Sequence, residues 1–138
     1  METLKERIVE LYEEGCSYRD IVKKLNCSKG TISYHLSAET KLKTLERQRD
    51  RRNMNRRFVV KFKESQVCTD CGLDYPYWIL EFDHCRGEPK IGNIAEMMND
   101  YTLAAIKHEI SKCDVVCANC HKHRTWMRKV KEDELAGC

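Results

Sequence analysis

Between Cys68 and Arg124 the chain concentrates thiols, imidazoles and a carboxylate at spacings suited to metal and phosphate chemistry. Cys68-Thr-Asp-Cys71 and Cys117-Ala-Asn-Cys120 are two Cys-x-x-Cys turns with 45 residues between them. Each presents two sulfurs from one turn, and together they supply the four thiolates of a tetrahedral zinc site. A single pair could be a redox dithiol, but two pairs with no βαβ pattern around them argue for metal. A structural zinc leaves Asp83, His84 and His121 unexplained. A neutral imidazole, with an ordinary pKa near ~6.5, can take a proton from water at working pH. Oxygen and imidazole ligands can hold a divalent cation that serves a phosphate and its leaving group. Phosphodiester hydrolysis needs both, because water must be activated and charge on the transition state neutralised.

Asp83-His84 closes an aromatic and aliphatic run from Trp78 to Phe82, and Cys117-Ala-Asn-Cys120-His121 opens a later segment. That order resembles the HNH endonuclease family, whose hallmark is a ββα-metal finger. In it a strand ends in Asp-His, a second strand follows, and a helix carries the last His or Asn. The resemblance covers about residues 58–126 and includes the flanking zinc knuckles. It implies that His84 is the general base and that Asp83 and His121 bind a catalytic divalent metal, Mg²⁺ or Mn²⁺. It also implies structural Zn²⁺ on Cys68, Cys71, Cys117 and Cys120. His123 lies two residues beyond His121 and faces elsewhere on a helix, as a phosphate or water contact; which of the two is the ligand stays open. Lys90 resembles a loop lysine of zinc-knuckle HNH sequences that touches DNA near the cut.

The sequence departs from that family at two points. Neighbours on a regular strand point to opposite faces, so Asp83 and His84 are expected to share a site only if the strand breaks or twists. Gly87 and Pro89 lie just beyond. The family's middle Asn, which orients the base, is absent, and Lys112, Cys113 and Asp114 occupy its region. Asp114 or Asn119 is expected to substitute.

The elements that must position these groups are legible in outline. The first strand is expected at Trp78–Phe82 after a turn at Pro76, and a short second strand at Val115 and Val116. Between them Asn93 caps a short helix over Ile94–Met98, and a second helix runs from Tyr101 and Thr102 through Ile106 and Ile110 to about Lys112. The last helix starts near Cys120, and residues past Lys129 are expected to fray.

Upstream, residues 39–66 predict one long helix, since no Gly or Pro interrupts them. Its expected apolar positions are Leu42, Leu45, Met54, Phe58, Val59 and Phe62, the last three packing under the zinc knuckle. From Lys41 to Lys63 there are ten Lys or Arg against Glu46 and Asp50. Such a block wants a polyanion or a solvated face. Arg47, Arg51, Arg52, Arg56 and Arg57 are expected on phosphates, with no burial holding the segment.

Residues 2–36 read as three short helices. Leu4, Ile8 and Leu11 recur at helical spacing before Gly15; Ser17-Tyr-Arg-Asp20 is a capping-box-like start; Asn26 closes the second helix and Ser28 caps the third. The run Gly15, Ser17, Ile21, Leu25, Ser28, Thr31, Ile32, Ser33 resembles the helix-turn-helix of resolvases and many bacterial regulators. That resemblance implies docking in the major groove of double-stranded DNA, with Lys29, Thr31, Ser33, Tyr34 and His35 on the exposed face.

These readings combine into an α+β, mostly helical chain. Residues 1–38 form a helix-turn-helix, 39–66 a basic linker helix, 67–130 an HNH module with structural zinc, and 131–138 a tail. The net charge is +3 and nine cysteines are present. Four go to zinc, leaving Cys16, Cys27, Cys85, Cys113 and Cys138, an odd remainder; with no signal peptide, a secreted disulfide scaffold is not expected. No apolar run approaches ~18 residues, so a membrane span is excluded and a cytoplasmic setting, bacterial or phage-infected, is expected. The expected activity is metal-dependent DNA cleavage, as in small phage or mobile-element HNH enzymes, by a protein taken as a monomer. The alternative is a non-enzymatic, zinc-containing helix-turn-helix regulator; RNA as the substrate also stays open.

Overall fold

The computed structural model describes residues 2–136. Over these residues the fold is α+β, with 64% helix and one two-stranded sheet. It divides into two compact units between Asp50 and Arg51.

The first unit is built by its caps. Helices α1 (Leu4–Glu13), α2 (Tyr18–Leu25) and α3 (Lys29–Leu36) each begin on a hydroxyl residue in extended conformation: Thr3, Ser17 and Ser28. Thr3 pairs with Glu6 and Ser17 with Asp20 in reciprocal capping boxes, satisfying donors that a helix start leaves open. Asn26 closes α2 in the left-handed conformation, φ 49°, as expected. The helices pack Ile8, Leu11, Ile21 and Ile32 into a small core, each side chain worth about 1.5–3 kcal/mol on burial. Leu4, expected on that face, is exposed.

Helix α4 (Ala38–Glu64) is the expected long helix and spans the division between the units. Its apolar pattern is realised only in part. Leu42, Leu45 and Met54 are exposed, because a helix this rich in charge has no continuous stripe to bury. The expectation that burial does not hold its basic stretch is corrected at Asn55, which is fully buried. The Asn55 Nδ2 donates to the carbonyls of Met98 and Tyr101, both at 3.1 Å. These lie at the C-terminal end of helix α5 (Ile94–Asp100), where carbonyls lack helical partners. Arg51 Nη2 donates to Asn99 O close by, at 3.3 Å.

In the second unit, β1 (Leu80–His84) pairs antiparallel with β2 (Cys113–Cys117), placing Leu80 opposite Cys117 and His84 opposite Cys113. Helices α5 and α6 (Leu103–Ile110) lie between the strands in sequence, and α7 (Ala118–Ala136) follows β2 directly. The order is therefore strand, strand, helix with a two-helix insertion. Two expectations move. The first strand starts later than Trp78–Phe82, because Ile79 N–H closes a turn on Pro76 O and Trp78 is 69% exposed. The last helix does not fray after Lys129 but stays helical to Ala136. Asn93 precedes α5 without capping it; its Oδ1 accepts from Lys90 instead, at 2.5 Å.

Two cores hold the unit. Val59 packs with Ile94, Met97, Ile106 and Ile110, with Phe58 against them, so these two α4 residues sit on α5 and α6 rather than beneath the knuckles. Phe62 does reach the second core, of Cys68, Leu80, Val115, Val116 and Cys117, and stacks on Phe82.

Candidate functional site

The four knuckle cysteines converge. Their sulfurs lie within 4.8 Å of one another. Cys68 donates its backbone N–H to Leu73 O, and Gly72 N–H returns to Cys68 O, which curls the first knuckle tightly. The second knuckle is tied to it, since Cys117 N–H reaches Cys68 Sγ at 3.2 Å and Cys120 N–H reaches Cys117 Sγ at 3.5 Å. Burial opposes a charged Cys68, yet N–H donors from Cys71, Cys117 and Asp70 bring its thiol down to about 6. Cys120 is pushed the other way, to about 12, by its hydrogen bond with Cys117 and by burial. Sulfurs this close sustain four thiolates only around a cation, so the cluster could hold a metal such as zinc.

Asp83 and His84 leave β1 in opposite directions, and the strand stays regular through both. The expected break does not occur. What joins them is an edge: β1 in a two-stranded sheet has one free side, and a groove of about 600 Å³ runs there. Asp83, His84, His121, Lys63, Lys90 and Arg128 all line it. In a sheet this narrow, residues from both faces reach one groove around the edge.

On one side Asp83, 3% exposed, meets α7. Its Oδ2 accepts from Arg124 Nη1 at 2.8 Å and from Arg128 Nη2 at 2.6 Å, and its Oδ1 from Arg128 Nη1 at 2.9 Å. Burial alone would raise the Asp83 carboxyl, but these guanidiniums hold it down at about 2. Arg124 continues to Asp70, inside the first knuckle, at 2.7 Å, and to Asp114 on β2 at 3.1 Å. One guanidinium thus links the first knuckle, the strand end and β2.

His121, one residue past the second knuckle, places its Nε2 3.4 Å from Asp83 Oδ1. Its Nδ1 lies 2.5 Å from Glu81 Oε2. The ring of His121 therefore stands between two carboxylates, Glu81 on Nδ1 and Asp83 on Nε2. His123 lies apart, exposed and stacked on Trp126, which separates two histidines the sequence left open.

On the other side His84 Nε2 lies 2.9 Å from Oε1 of Glu109, a fully buried carboxylate near the end of α6. The same Oε1 accepts Ile91 N–H at 3.0 Å, and Oε2 accepts Lys112 Nζ at 2.9 Å. Burial pushes the Glu109 carboxyl up, but Lys112, Ile91 and His84 more than offset this and bring it to about 2. Sequence reasoning missed Glu109. The residues expected to stand in for the family's middle Asn are elsewhere: Asp114 pairs with Arg86 at 2.9 Å and with Arg124, and Asn119 is exposed on the first turn of α7.

Lys90 is exposed on the groove rim, and Lys63, which the sequence did not single out, donates to Leu80 O at 2.6 Å with its amine lowered by burial.

The expected DNA-contacting residues of the first unit divide. Lys29 is exposed, while Thr31, Ser33, Tyr34 and His35 are half-buried. Thr31 shares a hydrogen bond with Ser28 at 2.9 Å, Ser33 donates to Thr40 at 3.3 Å, and Tyr34 lies edge-on to His35. Arg47, Arg52, Arg56 and Arg57 are exposed on α4, whereas Arg51 is half-buried on Asn99.

Residues 3–38 match the family model of a helix-turn-helix domain. That match points to DNA binding by the first unit. No curated protein and no solved structure matches the chain. No helix among the described residues is long and apolar enough to cross a membrane.

Proposed function

We propose that the chain is a metal-dependent DNA endonuclease that hydrolyses phosphodiester bonds, with Asp83, His84 and His121 as its working residues. The observation that carries this reading is their convergence on one groove lined also by Lys63, Lys90 and Arg128. The donors suit a divalent cation. The His121 Nε2 and an Asp83 carboxylate oxygen lie 3.4 Å apart, an imidazole and a hard oxygen donor side by side. Glu81 behind His121 is the carboxylate that metal-binding histidines commonly carry on their other nitrogen. Two protein ligands facing an open groove suit Mg²⁺ or Mn²⁺, which keep several waters. A cation held by Asp83 and His121 would supply Lewis-acid stabilisation of the phosphate and leaving oxygen.

The chain's own residues do the rest. His84 takes a proton from water, the resulting hydroxide bonds to phosphorus, and the bond from phosphorus to the leaving ester oxygen breaks. That oxygen takes a proton from solvent. The cations of the groove hold the phosphate, the four cysteines would hold Zn²⁺ that ties the two knuckles together, and the helix-turn-helix holds double-stranded DNA. Arg52, Arg56 and Arg57 add phosphate contacts. The setting is the cytoplasm of a bacterial or phage-infected cell.

One observation favours the alternative of a non-enzymatic regulator: both oxygens of Asp83 are held by arginines. Plasmid nicking with Mg²⁺, Mn²⁺ or chelator separates the two readings. Wild type should cut with metal, and His84→Ala should lose about 10²–10⁴ in rate while keeping zinc and DNA affinity. No cleavage by wild type with either metal, or an undiminished rate in His84→Ala, would refute the enzyme.

A further inference from the structure

We infer that Glu109 is a positioning residue that fixes His84 as its Nε2–H tautomer and reserves Nδ1 for the proton taken from water. The role of Nδ1 rests on the nuclease reading above; the tautomer does not.

The argument begins with burial. Glu109 has no exposed surface, and a carboxylate is removed from water only where donors replace its hydration. Three donor groups surround it: Lys112 Nζ, Ile91 N–H and the His84 ring. An ionised carboxylate has only acceptor sites, so the His84 nitrogen 2.9 Å away must bring the hydrogen. That nitrogen is Nε2. In the neutral ring Nδ1 then keeps the lone pair, and an orienting partner of this kind sets which nitrogen is basic.

The surroundings make the arrangement stiff. Lys112 is itself buried and donates also to Pro89 O at 3.0 Å. Glu109 and Lys112 therefore grip the loop after β1 at Pro89 and Ile91, on either side of Lys90. The imidazole and the groove-rim lysine are fixed by one ion pair. A histidine placed only for packing needs no such partner, and His84 keeps 20% of its side chain exposed, in the groove.

The test reads the ring directly, by ¹⁵N chemical shifts of His84 in the full-length, zinc-loaded protein. Two variants accompany wild type. Glu109→Gln retains an acceptor oxygen for His84 and Ile91. The double variant Glu109→Leu/Lys112→Met removes acceptor and lysine together, so no buried charge is stranded. Wild type and Glu109→Gln should show the Nε2–H signature. The double variant should show both tautomers, and its kcat for DNA cleavage should fall about 100-fold with KM little changed. An Nδ1–H signature in wild type would overturn the inference without any variant, and so would an unchanged tautomer in the folded double variant. A wild type with the Nε2–H signature that cuts no DNA would refute the nuclease reading and leave the positioning role standing.

Discussion

Removal of Arg124 should destabilise the second unit. Its guanidinium serves Asp70, Asp83 and Asp114 at once. In Arg124→Gln, Asp83 keeps Arg128 but loses one of its two cations while staying buried at 3% exposure. Removing one partner of a buried ion pair costs about 3–5 kcal/mol, because the remaining charge is left without compensation. Arg128 remains, so the low end applies. Asp70 and Asp114 are more exposed and add little. For a unit of this size 1 kcal/mol moves the midpoint by about 4–8 °C, so a loss near 3 kcal/mol lowers Tm by roughly 12–24 °C. Scanning calorimetry of zinc-loaded wild type and Arg124→Gln at pH 7 measures this, with the helix-turn-helix transition as an internal control. The double variant Arg124→Gln/Asp83→Asn should recover part of the loss, with a coupling above about 1 kcal/mol. A Tm within about 4 °C of wild type, or additivity of the two changes, would refute the claim that Arg124 acts as a buried counter-ion.

Cys71→Ser should lose stoichiometric zinc, read by metal analysis, and unfold the second unit while the first keeps its helices, because a metal held by both knuckles would couple binding to folding. DNA affinity should fall with a log–log salt slope near −5 if about six phosphates are neutralised. Reversing Arg52, Arg56 and Arg57 to Glu should flatten that slope, whereas Arg51→Glu should mainly lower stability through its lost bond to Asn99. Glu109 is held below its ordinary value of 4.5, at about 2. Its contribution to stability is therefore complete above pH 4.5 and is lost as pH falls towards 2. The urea midpoint of wild type should fall across that window more steeply than that of Glu109→Gln, and parallel curves would contradict the assignment.

Local rules explain why so much of the first unit was legible. Thr3, Ser17, Asn26 and Ser28 act on backbone groups within a few residues, so their types and spacing define helix ends before any packing occurs. The Cys-x-x-Cys pairs are equally local, and a tetrahedral metal needs two of them, which set Cys68, Cys71, Cys117 and Cys120 together in advance. The long α4 follows from an absence of Gly and Pro. By contrast, the strand boundaries moved because a turn at Pro76 holds Trp78 outside the sheet, and alternation alone does not register a strand on its partner.

The surroundings of Asp83 and His84 came only from the tertiary structure. Arg124 and Arg128 approach Asp83 from 41 and 45 residues away, and Glu109 approaches His84 from 25. Asn55 meets Met98 and Tyr101 across 43 and 46. No periodicity encodes such pairs, since an acid on a helix reads alike whether it faces solvent or an imidazole. The sequence by itself determined the capped helices, the four sulfurs that cluster and the three residues on the groove. Which carboxylate became buried, and which nitrogen of His84 faces it, depended on how α6 and α7 closed over a two-stranded sheet, because a buried charge is stable only beside partners that folding brings from elsewhere.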